Sequence, residues 1–401
     1  MIVVFTLGCK VNKYESEFII EKLNKMGYET SENLQWADYY IINSCAVTNE
    51  AERKSRQAIS RVLKFNSNAK IFVLGCASEN NRNQFQSKNV VKIYGCADKF
   101  DVLKYFKPQN DICEKTNKTN RVRKFIKIQD GCNNFCSYCL IPYLRGRSIS
   151  KSFNEIIEEV SALTQEKEIV LTGIDISDFK INGQPSLAEL VENLDFFKGR
   201  IRLGSLEVGI IDETFLKKLK KCVNFCPHFH LSLQSGSDTV LKRMNRHYTT
   251  KQFEEAVNLI RKIFPNASIT TDIIVGFPME SEKEFEQTYN FAKKIAFSDI
   301  HIFPYSKRKG TNALKFNNFV NGEIIKQRVK KLNDLKIYLQ RQFYLENIGK
   351  SHTLLIEEIV DKIGYGYTEN YIYAKIENEC YLGQFVEGEL HEGNVFVENK
   401  N

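Results

Sequence analysis

The chain has 401 residues, 42% of them hydrophobic and 26% charged, with 57 basic and 49 acidic side chains for a formal charge of +8. That length implies two or three domains with real cores, and the ordinary composition excludes a disordered or fibrous chain. Eleven cysteines are too few, and odd in number, for a disulfide scaffold; their placement reads as metal or redox chemistry in a reducing compartment. No apolar run approaches the roughly 20 residues of a membrane helix. The start Met1-Ile-Val-Val-Phe-Thr-Leu lacks the basic region of a signal peptide, so a cytoplasmic protein with no membrane partner is expected. Charge is unevenly divided: residues 346–401 hold eleven acids against four lysines, a charge of −7, which leaves +15 on residues 1–345. A basic body suggests a polyanion such as nucleic acid as partner, with a solvated lysine-rich surface as the alternative.

From the N-terminus, strand and helix alternate. An apolar run covers Ile2 to Leu7, and a helical pattern runs from Glu15 to Met26. A run at Tyr39 to Asn43, a basic helix from about Asn49 to Lys64 and a strand at Ile71 to Leu74 complete a parallel α/β layout. Cys9, Cys45, Cys76 and Cys96 each fall just beyond the carboxyl end of a strand, the edge at which open α/β sheets bind ligands. Three of these thiolates would hold a metal cluster with one open iron, and four would close it; the spacing does not choose.

Residues 106–123 are polar and rich in breakers and read as a linker. Arg121, Arg123, Lys124 and Lys127 then crowd the entry to a cysteine loop, where they either meet phosphates or form a solvated strand edge. In that loop Cys132, Cys136 and Cys139 stand at C-x-x-x-C-x-x-C. Three thiolates on a four-iron cube leave one iron free for another ligand. Structural zinc is the competing reading, but it wants four ligands and no paired knuckle follows.

Beyond the loop, strands are expected at 124–130, 168–173, 200–206, 228–234, 268–275 and 299–305. Helical patterns fill 153–165, 186–194, 212–221, 251–264 and 281–296. Six βα units predict an open or partial parallel barrel with its chemistry at the carboxyl strand ends. Thr172, Gly173, Glu207 and Gln234 lie at such ends and suit a small polar ligand with an amino acid end and a ribose. Cys222 and Cys226 lack a third partner and read as structural. A polar-basic helix from about Glu323 to Glu346 carries Lys326, Arg328, Lys330, Lys331, Lys336 and Arg341, either toward nucleic acid or toward solvent. After Gly349, short β runs at 353–359, 371–376, 384–390 and 395–397 predict a small β-barrel.

Several stretches together carry a resemblance: Thr6-Leu-Gly-Cys-Lys-Val-Asn-Lys-Tyr-Glu-Ser16, Asn43-Ser-Cys-Ala-Val-Thr48, Lys54-Ser-Arg-Gln57, Asp130 to Cys139, His230-Leu-Ser-Leu-Gln-Ser-Gly-Ser-Asp238, Met244-Asn-Arg246 and His301-Ile-Phe-Pro-Tyr-Ser306. Across nearly its whole length the chain resembles the radical S-adenosylmethionine methylthiotransferases, most of all the group acting on N6-threonylcarbamoyladenosine beside the tRNA anticodon. The resemblance implies a methylthiotransferase domain at 1–105, the linker at 106–123, a radical SAM partial (β/α)6 barrel at 124–346 and a TRAM-like β-barrel at 347–401. It implies two 4Fe-4S clusters, one on Cys132, Cys136 and Cys139, whose open iron chelates S-adenosyl-L-methionine, and an auxiliary one on Cys9, Cys45 and Cys76, with Cys96 surplus. Thr172, Gly173, Glu207 and Gln234 would then contact S-adenosyl-L-methionine. Implied partners are the tRNA anticodon stem-loop and an electron donor such as flavodoxin or ferredoxin. The implied chemistry is removal of hydrogen from C2 of the adenine by a 5'-deoxyadenosyl radical, followed by insertion of methylated sulfur.

Three features depart from the family pattern. Arg145-Gly-Arg-Ser-Ile-Ser150 shortens a basic run, Met279 stands where glycine is common, and the C-terminal module is acidic although TRAM domains are taken as RNA-binding. Tyr365, Tyr367, Tyr371 and Tyr373 are therefore expected to serve base stacking or domain packing. The alternatives are a methylthiotransferase for isopentenyladenosine-37 of tRNA or for a ribosomal-protein aspartate, and a non-catalytic metal-containing RNA-binding module.

Overall fold

A computed structural model of the chain describes residues 1–109 and 121–398, so most of the expected linker at 106–123 lies outside the described residues. The described chain forms two compact units. Of the described residues, unit 1 comprises 1–109, 130–148 and 306–311; unit 2 comprises 121–129, 149–305 and 312–398.

Unit 1 is built on a parallel sheet. The two-residue edge Thr30–Ser31 is followed in space by β1 (Ile2–Thr6), β2 (Tyr39–Ser44), β3 (Lys70–Gly75) and β4 (Val90–Ile93). Alternate strand residues feed two separate cores. Val3, Ile42, Ile71 and Val73 enter one, while Ile2, Val4, Ile41, Phe72 and Leu74 enter the other, which is why these runs are apolar at every position. Helix α1 (Lys10–Lys25) starts directly after Cys9, earlier than its apolar period indicates. Its first turns face inward with polar groups, Asn12 and Ser16, so periodicity of apolar residues misses them. Helix α2 (Asn49–Val62) begins at Thr48, whose hydroxyl accepts from the Ala51 N–H at 3.0 Å. Segment 130–148 joins this unit because Ile141 and Leu144 pack on the core that contains Cys76, Ala77 and Cys96.

Unit 2 begins with β5 (Arg123–Lys127), β6 (Glu168–Thr172) and β7 (Arg200–Leu203), in the order β7-β6-β5. At Gly204 the third strand breaks, and its continuation Ser205–Leu206 pairs instead with β8 (His228–Gln234). Strands β9 (Ser268–Val275) and β10 (Asp299–Pro304) extend that second sheet, all pairs parallel. A six-strand parallel barrel divided into two sheets results. Helix Gly322–Asn347 sets Leu332, Leu335 and Leu339 into the same core.

Strands β11 (Ser351–Val360), β12 (Ile363–Thr368), β13 (Tyr373–Ile376), β14 (Phe385–His391) and β15 (Val395–Glu398) close a small barrel in the order β11-β12-β13-β15-β14. Its second strand, Ile363–Thr368, is not among the expected β runs and contains Gly364 and Gly366. They are glycines of close approach within the ladder: a Cβ on Gly366 would sit 1.7 Å from the Leu355 carbonyl oxygen.

One buried carboxylate holds this barrel to the larger one. Glu168 is fully buried at the start of β6 and pairs with Arg123 at 2.6 Å and with Arg200 and Arg202 at 3.0 Å. The same arginines reach the small barrel. Arg123 pairs with Glu357 at 2.6 Å, Arg200 donates to the carbonyls of Thr353 and Tyr367, and Arg202 donates to that of Glu369, each at 3.1 Å. Burial raises the Glu168 pKa, but Arg202, Arg200 and Arg123 more than reverse this and hold it at about 2. A carboxylate depressed in the folded state adds stability above its ordinary value and loses it as pH falls through the folded one. The tie is therefore present at neutral pH and lost between about pH 4.5 and 2. Glu168→Gln should lower unfolding stability by about 3–5 kcal/mol at pH 7 in urea titration, and the deficit should shrink toward pH 2.

Candidate metal centres

Unit 1 contains no histidine, so its metal chemistry rests on thiols and carboxylates. Cys9 precedes the first turn of α1, Cys45 follows β2 and Cys76 opens the short helix Cys76–Asn80 after β3. Buried amides fix these strand ends. Asn43 donates to the Asn12 carbonyl at 2.9 Å, and Asn12 donates to the carbonyls of Leu7 at 2.8 Å and Ser44 at 3.0 Å. Gly8, at φ +105°, lets Cys45 approach: a Cβ there would meet its sulfur at 2.6 Å. Burial pushes the Cys45 thiol up to about 12. Cys76 goes the other way, down to about 6, because the Cys96 S–H donates to it at 3.8 Å and the Arg145 guanidinium donates at 3.1 Å.

The second set lies in the same unit. Gly131, at φ +70°, brings the loop against Arg147, where a Cβ would meet a carbonyl oxygen at 2.0 Å. The Asn134 N–H donates to Cys132 sulfur and the Ile141 N–H to Cys139 sulfur, both at 3.4 Å; the Val47 N–H approaches Cys45 in the same way at 3.5 Å. Three thiols per set, with amides aimed at sulfur, fit iron–sulfur ligation, in which such bonds tune the cluster.

Arg145 links the two sets and was invisible as a site residue in the sequence, where it reads as one member of a basic run. Its side chain is 1% exposed. Beyond Cys76 it donates to Glu15 at 2.8 Å, Asp130 at 3.0 Å and Asn12 at 3.0 Å. Buried Lys99 adds a 2.5 Å pair with Glu15. A charged pattern offset by 130 residues, such as Glu15 with Arg145, leaves no local signal.

In unit 2, Thr172 and Gly173 lie at the carboxyl end of β6, Glu207 follows the continuation of β7, and Gln234 ends β8. Gln129 accepts from the N–H groups of Ile174 (3.0 Å) and Asp175 (2.8 Å), shaping the turn after Gly173. Glu207 is paired with Arg246, which also donates to the Ser232 carbonyl at 3.1 Å. Gln234 adopts φ 65° at a register shift between β8 and β9. Met279, at φ 64°, explains why that position favours glycine.

Several basic side chains read as facing either nucleic acid or solvent are instead paired with carboxylates of this chain. Arg328 is buried between Glu280 (2.8 Å) and Glu282 (2.9 Å), and Lys336 pairs with Asp299 at 3.0 Å. Lys326 pairs with Glu323 and Lys331 with Glu286, whereas Lys330 and Arg341 have no ion pair among the described residues. The tyrosines differ: Tyr371 stacks on His228 (4.6 Å) and Tyr367 (4.5 Å) and serves packing, while Tyr373 meets Tyr367 at 5.1 Å and Tyr365 at 6.0 Å and is still 43% exposed.

The profile of the Radical SAM superfamily matches residues 126–292, and one described as Uncharacterized protein family UPF0004 matches residues 1–96. The Threonylcarbamoyladenosine tRNA methylthiotransferase MtaB of Aquifex aeolicus is 38% identical over 95% of this chain and 98% of its own length. The Bacillus subtilis protein of that name is 36% identical over 95% and 91%. The chain belongs to the radical SAM methylthiotransferases. A second branch of this family is also similar: the tRNA-2-methylthio-N(6)-dimethylallyladenosine synthase of Dictyoglomus thermophilum is 31% identical over 98% of this chain and 96% of its own. Among solved structures, the radical S-adenosylmethionine methyltransferase TsrM of Kitasatospora setae superimposes with a TM-score of 0.53 at 11% identity, covering 76% of this chain and 74% of that one. That likeness concerns the fold. No helix among the described residues of this methylthiotransferase is long and apolar enough to cross a membrane.

Arg145→Lys keeps the charge but cannot span four partners as a planar fork does. The metal-free variant should unfold at lower urea, a loss of about 1–3 kcal/mol, and an unchanged midpoint would deny the guanidinium its structural role.

Proposed function

We propose that this methylthiotransferase inserts a methylthio group at C2 of N6-threonylcarbamoyladenosine at position 37 of tRNA. The observation that carries the substrate is identity to the relatives: four named for threonylcarbamoyladenosine stand at 35–38% and a fifth at 32%, against 31–33% for those named for dimethylallyladenosine. Cys132, Cys136 and Cys139 hold the 4Fe-4S cluster that binds S-adenosyl-L-methionine, and Cys9, Cys45 and Cys76 hold the auxiliary one. When bound, these groups supply the electron, the 5'-deoxyadenosyl radical and the sulfur chemistry.

The chain's own residues bind and orient. Arg145 and the amides of Val47, Asn134 and Ile141 present donors to cysteine sulfur. Thr172, Gly173, Glu207 and Gln234 offer hydroxyl, backbone, carboxylate and amide groups for S-adenosyl-L-methionine, with Arg246 fixing Glu207. Lys330, Arg341 and Tyr373 receive the anticodon stem-loop, and a flavodoxin or ferredoxin delivers electrons in the cytoplasm.

Anaerobically reconstituted protein should carry about eight irons and eight sulfides per chain. Replacing either cysteine triplet by alanine should leave about half, and Cys96→Ser should leave the full complement; loss of iron in Cys96→Ser would make Cys96 a ligand. Nucleoside mass spectrometry of tRNA from a deletion strain should show unmethylthiolated N6-threonylcarbamoyladenosine accumulating. Accumulation of isopentenyladenosine instead would move the enzyme to the other branch. Tyr373→Ala should weaken tRNA binding by about 1–3 kcal/mol, measured by filter binding at fixed salt.

A further inference from the structure

The strands of a parallel barrel are ordinarily apolar on both faces. Here β8, β9 and β10 carry an apolar set, Phe229, Leu231, Ile269, Ile273 and Ile300, into the core beneath the helices. The alternate positions are polar: His228 and His230, Thr270 and Asp272, Asp299 and His301. Register sets His230 beside Thr270, and Asp272 beside His301.

Three of these side chains converge. His230 Nε2 lies 3.3 Å from one oxygen of Asp272, and His301 Nδ1 lies 3.2 Å from the other. The ligand atoms of all three fall within 4.8 Å of one another. In a tetrahedral zinc site with bonds of about 2.0–2.1 Å, neighbouring ligand atoms are about 3.3 Å apart; each ring nitrogen already stands at that separation from an Asp272 oxygen, His230 from one and His301 from the other.

The second nitrogen of each ring is also engaged. His230 Nδ1 is 2.9 Å from the Thr270 hydroxyl, and His301 Nε2 is 3.7 Å from Asp299, itself held by Lys336 and by the Gln340 amide. A hydroxyl behind His230, shared with His228 Nε2 at 3.0 Å, and a carboxylate behind His301 stand where the outer partners of metal-bound histidines stand. His230 is buried, Asp272 half-buried and His301 about half exposed, so an ion would have both a closed side and a route in.

We propose that His230, Asp272 and His301 form a site for one divalent transition-metal ion, separate from the cysteine sets. Two imidazoles and one carboxylate suit zinc among the available ions and leave at least one position for water or an anionic oxygen donor such as a carboxylate. This assignment rests on unit 2 alone and does not depend on the substrate proposed above.

The test uses the cluster-loaded full chain under anaerobic conditions. Zinc chloride is added at a small excess, unbound metal is removed by gel filtration, and zinc and iron are measured together. About one zinc per chain with iron unchanged is expected. Asp272→Asn and His301→Gln should each cut retained zinc at least tenfold with unchanged circular dichroism; His301 is half exposed, so its variant guards against loss of fold. Thr270→Val should weaken zinc binding by about ten-fold or more while leaving the ligands in place. Substoichiometric zinc in the parent, zinc that persists in both ligand variants, or zinc gained only as iron is lost would each overturn the assignment.

Discussion

The enclosed guanidinium of Arg145 is the constraint on which unit 1 depends. A buried cation with five N–H groups must be met by acceptors on every side or it costs several kcal/mol. Its acceptors come from α1, from Cys76 after β3 and from Asp130 at the entry of the cysteine loop. Displacing any one of these segments leaves a charge unpaired in low dielectric. Segment 130–148 therefore folds with the N-terminal sheet even though residues 121–129 before it and 149–305 after it lie in the other unit. The same guanidinium brings a hydrogen bond to Cys76 sulfur, so the group that fixes the geometry adds to the effect of the Cys96 S–H in lowering that thiol's pKa.

Unit 2 solves a similar problem with the signs reversed. Buried Glu168 is surrounded by Arg123, Arg200 and Arg202, and their remaining N–H groups reach out to backbone carbonyls of the small barrel. This ties a module of charge −7 to the larger barrel, alongside Phe343 and Tyr344 of the long helix, which pack on its core. Its acceptors are mainly carbonyls plus Glu357, and the stacked His228 and Tyr371 rings seal the contact. Arg123 shows the cost to sequence reading: it sits among Arg121, Lys124 and Lys127 as if to meet phosphate, yet its partners are two carboxylates of its own chain.

What could be read in advance follows from the range of the interaction that sets it. The alternation of strand and helix is a local pattern, and the strands at Tyr39–Ser44, His228–Gln234 and Ser268–Val275 stand where their apolar runs put them. The placement of Cys9, Cys45 and Cys76 just past strand ends was legible because strand ends are short-range features. Helix α1 was legible only from its second turn, since Asn12 and Ser16 face inward to hold backbone groups. The strand Ile363–Thr368 was hidden by glycines that a crowded neighbour requires. Arg145 with Glu15, Glu168 with Arg202, and the histidine–aspartate group across three strands are long-range pairings, and single-chain periodicity carries no trace of them.

Charge shows most clearly how the two kinds of information combine. Pairing Arg328 with Glu280, or Lys336 with Asp299, removes those side chains as phosphate contacts but does not alter the net charge, since both partners were already counted. The long-range field of a body at +15 therefore still draws a polyanion from a distance, on a scale of about 10 Å in ordinary salt. Once the polyanion arrives, only unengaged cations can release counterions from it. Lys330 and Arg341 on the long helix remain in that state among the described residues. Steering thus belongs to the whole basic body, whereas a module of charge −7 has aromatic surface such as exposed Tyr373, rather than charge, to offer a polyanion.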